Sequence, residues 1–267
     1  MKLDGCAAVI TGASAGIGRE LARQLAGRAR LLVLVARRRN RLEKLRSELL
    51  RVNEALQVEI REVDLSNLEQ TVQVAGWLAN EPIDFLVNNA GLGDHGSFTT
   101  ADPARVNEQI QVNALALTAL TRAVLPRMIA QKRGAILNVS SSAGFLPLPD
   151  LAVYAATKAY VTSFSEAIRA ETRGLGITVT ALCPGPVHTE FAQVADREQQ
   201  MRKIRSSPVH VSVEEVARAG LSAIERDKAL AVPGIAIKIV MTIVRALPSA
   251  VLRAAWRFSG TNKIDAK

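Results

Sequence analysis

Short apolar runs alternate with helical segments through the first ninety or so residues, and this alternation restricts the fold more than any other feature. Residues 6–10, 31–35 and 83–87 are almost wholly apolar, as strands covered on both faces are, and residues 58–63 alternate in the manner of a strand. Residues 19–26, 42–52 and 67–79 lie between or after them with helical spacing, and a longer helix is expected over 103–131. Strand–helix units in succession predict a parallel, doubly wound sheet with helices on both faces. Ligands of such sheets bind beyond the carboxyl ends of the strands. The residues at those ends are therefore the first to inspect.

The first strand runs into Thr11-Gly12-Ala13-Ser14-Ala15-Gly16-Ile17-Gly18. Strand, glycine-rich turn and helix together offer backbone N–H groups and a helix N-terminus to a pyrophosphate. The spacing is G-x-x-x-G-x-G rather than G-x-G-x-x-G, so an ordinary tight turn is an equal reading of this motif alone. The second strand ends in Ala36-Arg37-Arg38-Arg39-Asn40-Arg41. About 20 residues past a glycine turn, an NAD enzyme carries an acid for the ribose hydroxyls. Arginine stands here instead, and its fork suits a 2′-phosphate. A solvated helix start or a nucleic-acid patch is the alternative, the latter weakened by the lack of interleaved aromatic residues. The third and fourth strands end at Asp64-Leu65 and Asn88-Asn89-Ala90-Gly91.

Farther on, Val139-Ser140-Ser141-Ser142-Ala143-Gly144 precedes Tyr154-Ala155-Ala156-Thr157-Lys158. A four-residue spacing puts Tyr154 and Lys158 on one helix face. A cation about 4 Å from the phenol, at an effective dielectric near 20, would favour the phenolate by roughly 4 kcal/mol, or about three pK units. That would bring a phenol of about 10 down to about 7, suited to general acid–base work. Y-x-x-x-K by itself is a common pattern, and its plainer reading is a solvated lysine near a half-buried tyrosine.

Taken together, these motifs resemble the short-chain dehydrogenase/reductase family, and in particular its NADP(H)-preferring members. The matching set is Thr11-Gly12-x-x-x-Gly16-Ile17-Gly18, Asp64-Leu65, Asn88 to Gly91, Asn113, Ser141, Tyr154-x-x-x-Lys158 and Pro184-Gly185-Pro186-Val187-x-Thr189. The resemblance reaches Phe191 and implies a Rossmann-like sheet of about seven strands in one domain. Residues 1–234 would form its catalytic and NADP(H)-binding body, and residues 235–267 a C-terminal helical extension of it. It implies that Tyr154 is the general acid, that Lys158 depresses its pKa and holds the nicotinamide ribose, and that Ser141 bonds the substrate's carbonyl oxygen. Asn113 would anchor a water relaying protons to Lys158. Gly12, Ser14, Gly16, Ile17 and Gly18 would cradle the phosphates, with Arg37 on the 2′-phosphate and Arg38 able to share that task. Asp64 and Leu65 would meet the adenine, Asn89, Ala90 and Gly91 the adenosine side, and Pro184, Gly185, Val187 and Thr189 the nicotinamide. The small residues Ala155, Ala156 and Ala159 suit close helix packing, and the resemblance implies a homodimer or homotetramer.

The implied reaction is NADPH-dependent interconversion of a ketone or aldehyde with an alcohol. Two rival readings are a reductase of carrier-bound 3-oxoacyl thioesters and an NADPH-binding sensor or scaffold without turnover. The three histidines, His95, His188 and His210, form no metal motif, so no metal site is expected. The two cysteines, Cys6 and Cys183, lack metal or redox spacing and fit free thiols of a reducing, cytoplasmic setting. No signal peptide and no uncharged span is expected, and nucleic acid is not expected as a partner. Residues 191–212 are polar and poorly patterned, the composition of a segment that covers substrate. The net charge of +9 calls for an acidic partner. In residues 235–258 a stripe of Lys238, Thr242, Arg245, Ser249, Arg253 and Arg257 faces Ile, Val, Leu and Trp256, with Pro248 dividing the tail. That tail either covers the core or a neighbouring subunit, or lies on a membrane surface.

Overall fold

The computed structural model describes residues 2–187, 189–195 and 211–247. The three apolar runs and the alternating segment of the first half are strands: β1 (Ala7–Thr11), β2 (Leu31–Ala36), β3 (Gln57–Glu62) and β4 (Phe85–Asn88). Helices α1 (Gly16–Leu25), α2 (Arg39–Val52) and α3 (Leu68–Leu78) connect them. The fourth strand begins at Phe85 rather than at 83, because Asp84 accepts the Ala7 N–H at 2.9 Å and so ends its own part in the apolar run.

Three further strands, β5 (Gly134–Val139), β6 (Ile177–Leu182) and β7 (Leu230–Ala231), complete a seven-stranded, all-parallel sheet in the order β3-β2-β1-β4-β5-β6-β7. Successive strands are added outward on one side of β1 up to β3 and on the other side from β4 on, so the strand order switches between β1 and β4. The crevice beyond their carboxyl ends is the switch point at which such sheets bind ligands.

Alternate residues of each strand supply opposite faces. Ala8, Ile10, Leu32 and Leu34 meet α1, α2 and α8 (Val213–Glu225) through Leu21, Leu25, Leu45, Leu49, Val216 and Ile224. Ala7, Val9, Val33 and Val35 meet α3 and α5 (Leu117–Ala130) through Val74, Leu78, Leu120 and Val124. The single helix expected over 103–131 is divided: α4 (Pro103–Ile110), a π-helical turn at Gln111–Ala116, then α5. Its start is set by Asp102, whose side chain accepts the Ala104 N–H, and by Pro103 behind it. The whole stretch is long and apolar enough to cross a membrane, yet its most apolar part is 50% buried, with Val112, Ala116 and Val124 in the core. It is a core helix of this sheet.

α6 (Ala152–Glu171) lies on β6 and carries Tyr154 and Lys158. α7 (Glu190–Ala195) opens the region expected to lack pattern. α9 (Ile235–Ala246) follows Gly234, whose φ of +83° suits glycine. His188, His210 and the rest of residues 196–210 lie outside the described residues, as do Pro248, Ser249, Arg253, Trp256 and Arg257 of the expected tail.

Candidate active site

The glycine turn is held against β4 by side chains. Thr11 Oγ1 donates to Val87 O at 3.2 Å and accepts the N–H groups of Asn89 and Ala90 at 2.9 and 3.0 Å. Asn89 Nδ2 donates to Thr11 O and Gly12 O at 2.9 and 3.3 Å. A Cβ on Gly12 would stand 2.8 Å from Asn89 Nδ2 and 2.9 Å from Ala90 Cα, and φ there is +65°. Gly16, at φ +52°, has Thr189 within 3.2 Å of where a Cβ would be. A Cβ on Gly18 would collide with the Asn89 amide, so this glycine makes room for the clamp and does not line the cleft.

The cleft that this turn opens has a volume of about 980 Å³. It brings together every residue expected at the cofactor and the reacting end except Gly18 and Asn113. At one end stand Arg37, Arg38, Asp64 and Leu65; at the other stand Ser141, Tyr154 and Lys158. Pro184, Gly185, Val187 and Thr189 form part of its wall. A cavity of this volume whose lining combines a glycine cradle, the arginines after β2 and the Tyr154 phenol fits a phosphorylated dinucleotide.

Arg37 Nη1 is 3.9 Å from Asp64 Oδ2, while Asp64 Oδ1 accepts the N–H and Oγ–H of Ser66 at 2.9 and 2.7 Å. Arg38 is the more embedded in the fork. It donates through Nε and Nη2 to Ser14 Oγ at 3.3 and 3.1 Å, which joins the end of β2 to the glycine turn.

At the other end, β5 delivers Ser141 as the cap of a short 3-10 turn, and its Oγ accepts the Ala143 N–H at 3.1 Å. Ser141 and Tyr154 both line the cleft, and Ser141 opposes part of the rise that burial gives the Tyr154 phenol. Ser140 is a structural neighbour: its Oγ donates to Lys158 O at 2.7 Å and lies 2.8 Å from Thr162 Oγ1. Gly144 lets the turn press on α6, since a Cβ there would stand 2.7 Å from the Lys158 carbonyl carbon. Asn113 sits in the π-helical turn, a common device at functional sites. Its amide clamps Leu92 through both N–H and C=O at 2.8 Å and donates to Thr157 Oγ1 at 3.0 Å. The extent of that commitment, and the part of Thr157 in it, went unseen in the sequence.

The Tyr154–Lys158 pair differs in geometry from the one expected. Tyr154 and Lys158 do share a helix face, but Lys158 Nζ donates to Val139 O at 2.8 Å and lies 5.7 Å from the centroid of the Tyr154 ring. Tyr154 is half-buried, and burial pushes its phenol up to about 12, with Ser141 opposing. Burial likewise brings Lys158, 4% exposed, down to about 8. The phenol near 7 assumed that the ammonium sits on the phenolic oxygen in a medium that costs neither group its charge. Desolvation disfavours the charged form of each.

Further residues enter the site without a motif to announce them. The Phe191 ring packs on Tyr154 with centroids 5.2 Å apart, and Met241 of α9 reaches the cleft wall. Leu146, Leu148 and Leu151 add apolar lining, and His95 also borders the cleft. The segment beginning at Phe191, the loop carrying His95 and the tail's apolar face each hinted at the cleft, but long sequence separation hides the particular contacts. Cys6 and Cys183 are buried free thiols, each pushed up to about 11 by burial. Among the described residues no cluster of His, Cys, Asp and Glu can hold a metal.

The parallel sheet, its switch-point cleft and the Ser–Tyr–Lys end define a dinucleotide-type α/β protein. The chain belongs to the short chain dehydrogenase family, whose model matches residues 6–200. It is similar to the bovine (Bos taurus) very-long-chain 3-oxoacyl-CoA reductase, 35% identical over 193 residues, which cover 70% of this chain and 61% of that protein. The chain thus spans less than two thirds of the length of that relative. A short-chain dehydrogenase from Sphingobium yanoikuyae, solved in complex with NADPH, superposes with a TM-score of 0.82 at 30% identity over 98% of this chain and 100% of that one. The bulky-bulky ketone specific alcohol dehydrogenase from Comamonas testosteroni gives a TM-score of 0.78 at 27% identity, covering 98% of this chain and 97% of that one.

The chain contains two tyrosines, so one substitution isolates the phenol of interest. In Tyr160→Phe, ultraviolet difference titration of the unliganded protein is expected to leave Tyr154 protonated through pH 9, with ionisation well above the ordinary value of about 10. A phenolate signal appearing near pH 7 would restore the lysine-depressed tyrosine.

Proposed function

We propose that this chain is an NADP(H)-dependent oxidoreductase that interconverts an apolar carbonyl compound and its alcohol. The observation that carries the proposal is the placement of Ser141, Tyr154 and Lys158 in one cleft with a glycine cradle and an arginine fork. The NADPH complex of the Sphingobium relative supports the cofactor, as do Arg37 and Arg38 in place of an acid after β2. Bound NADPH would supply the hydride. Arg37 and Arg38 would bind the 2′-phosphate, and Ser14 with the turn's backbone N–H groups the pyrophosphate.

Ser141 Oγ and Tyr154 Oη are assigned to hold the carbonyl oxygen, and Tyr154 Oη to give it the proton. A phenol titrating near 12 is fully protonated at neutral pH, ready for the reductive direction. Lys158, titrating near 8, is mostly cationic at pH 7 and offsets the phenolate left behind. Asn113 is assigned as a positioning residue that fixes Leu92 and Thr157 around Lys158. Phe191 and Met241 would exclude water above Tyr154.

The lining of Leu146, Leu148, Leu151, Phe191 and Met241 favours a bulky apolar substrate, a long-chain 3-oxoacyl thioester included. The ketone- and oxoacyl-reducing relatives support that class. Exposed Ile110, Leu115 and Tyr160 on the α4-to-α6 face support self-association there. The buried free thiols fit a cytoplasmic location.

The tail adds a membrane contact to this proposal. On α9, Ile237 is buried and Met241 half-buried, while Ile235, Ile239, Val240, Ile243 and Leu247 are exposed. The apolar surface thus covers more of the helix than one stripe. Arg245 turns to Glu166 at 3.5 Å and to the Phe145 ring rather than to solvent alone. Together with the net charge of +9, this exposed face suits an anionic bilayer from which apolar substrates reach the cleft.

Two outcomes test these proposals. Tyr154→Phe should lower kcat by about 100- to 10,000-fold on ketone, steroid or acyl-thioester substrates while NADPH binding persists. Near-normal turnover would remove Tyr154 from the mechanism, and no turnover by the unaltered protein on the whole panel, with tight NADPH binding, would favour the sensor. Phosphatidylglycerol vesicles should sediment the full chain, phosphatidylcholine vesicles much less, and the pair Ile239→Glu with Ile243→Glu should abolish the difference. Equal sedimentation of both proteins would return α9 to a protein contact.

A further inference from the structure

The arginine fork that would take the 2′-phosphate already holds an anion from its own chain. Glu190, next after Thr189, begins α7 and reaches back to the end of β2. Its Oε2 accepts from Arg38 Nη1 at 3.0 Å. Both its oxygens accept from Arg41 Nη1 at 2.7 Å. Arg38 meanwhile keeps its Nε and Nη2 on Ser14 Oγ, so one guanidinium bridges the glycine turn and Glu190. Arg41 and Arg38 hold the Glu190 carboxyl below the usual range, so it is ionised at neutral pH. Glu190 and Arg38 both line the cleft.

A carboxylate and a phosphate monoester ask for the same thing: guanidinium N–H groups directed at oxygen. Arg38 cannot give its Nη1 fully to both. The phosphate carries the larger charge, about −1.5 to −2 against −1, and so wins the exchange at a cost in affinity. NADH and AMP bring no 2′-phosphate and leave the pairs as they are.

We propose that Glu190 is a specificity-determining residue, an internal stand-in for the 2′-phosphate that every 2′-phosphorylated ligand must displace from Arg38, while Arg41 holds Glu190 in place beside the cleft. The proposal rests on the NADP(H) reading above. It makes Glu190 a brake on NADPH and NADP⁺ alone, and it ties the fork to the reacting end, since the next residue is Phe191, packed on Tyr154.

The test is calorimetric titration of wild type and Glu190→Gln with adenosine 2′,5′-bisphosphate, AMP, NADPH and NADH, at low and at high salt. Glutamine keeps the shape at this exposed position and removes the charge. The variant should bind the bisphosphate and NADPH about 3- to 10-fold more tightly at low salt, with the gain shrinking as salt rises. AMP and NADH should change by less than about twofold, since neither disturbs the pairs. Equal or weaker binding of the bisphosphate by Glu190→Gln overturns the proposal. Weaker binding of all four ligands overturns it too, because Glu190 would then brace the cleft. Wild-type protein that binds NADH better than NADPH, and AMP as tightly as the bisphosphate, overturns the NADP(H) reading itself, before any substitution is compared.

Discussion

The clamp between Thr11 and Asn89 is the interaction on which the rest of the site depends. A parallel sheet whose strand order switches between β1 and β4 leaves a crevice at their carboxyl ends, but nothing in the sheet itself fixes how the two following loops sit. Here Thr11 Oγ1 takes the N–H groups of Asn89 and Ala90, and the Asn89 amide takes the carbonyls of Thr11 and Gly12. Gly12 and Gly18 are glycines because the Asn89 side chain fills the space a Cβ would need. One asparagine thereby fixes the shape of the turn, the position of the α1 N-terminus and the wall of the cleft.

The opposite end of the cleft is governed by burial. Gly144 lets the Ser142–Phe145 turn press on the Lys158 backbone of α6, and Lys158 is buried while Tyr154 is half-buried at the cleft. The ammonium finds its partner in the Val139 carbonyl, not in the phenol. A tyrosine kept neutral by its surroundings is an acid waiting for an oxyanion, which matches the reductive role proposed for it. The arginine end follows the other rule: its cations are exposed, close to one another and satisfied by an acid of the same chain.

Much of this was legible in the sequence. Apolar runs bounded by Gly, Arg, Asp and Asn gave the strands and their ends, since buried parallel strands leave little choice of residue. The spacing of Tyr154 and Lys158 gave a shared helix face. What the spacing could not carry was the direction of the Lys158 ammonium or the cost of its burial, both of which depend on β5. The π-helical turn at Gln111–Ala116 was hidden because its composition is that of an ordinary helix. Phe191 opens the segment expected to cover substrate, but its packing on Tyr154 and the partners of Glu190 were hidden because each lies across the fold. Glu190 is 152 residues from Arg38 in the chain.

Hydride transfer to a carbonyl carbon is the central claim, and isotope transfer tests it most directly. Unlabelled bulky ketones and 3-oxoacyl thioesters would be incubated with NADPH carrying deuterium at the transferable C4 position, and the alcohols examined by mass spectrometry. The account predicts one deuterium on the carbinol carbon of at least one product, in an amount matching the NADPH consumed. NADPH bound in the cleft with no deuterium delivered to any carbonyl in the panel would contradict it.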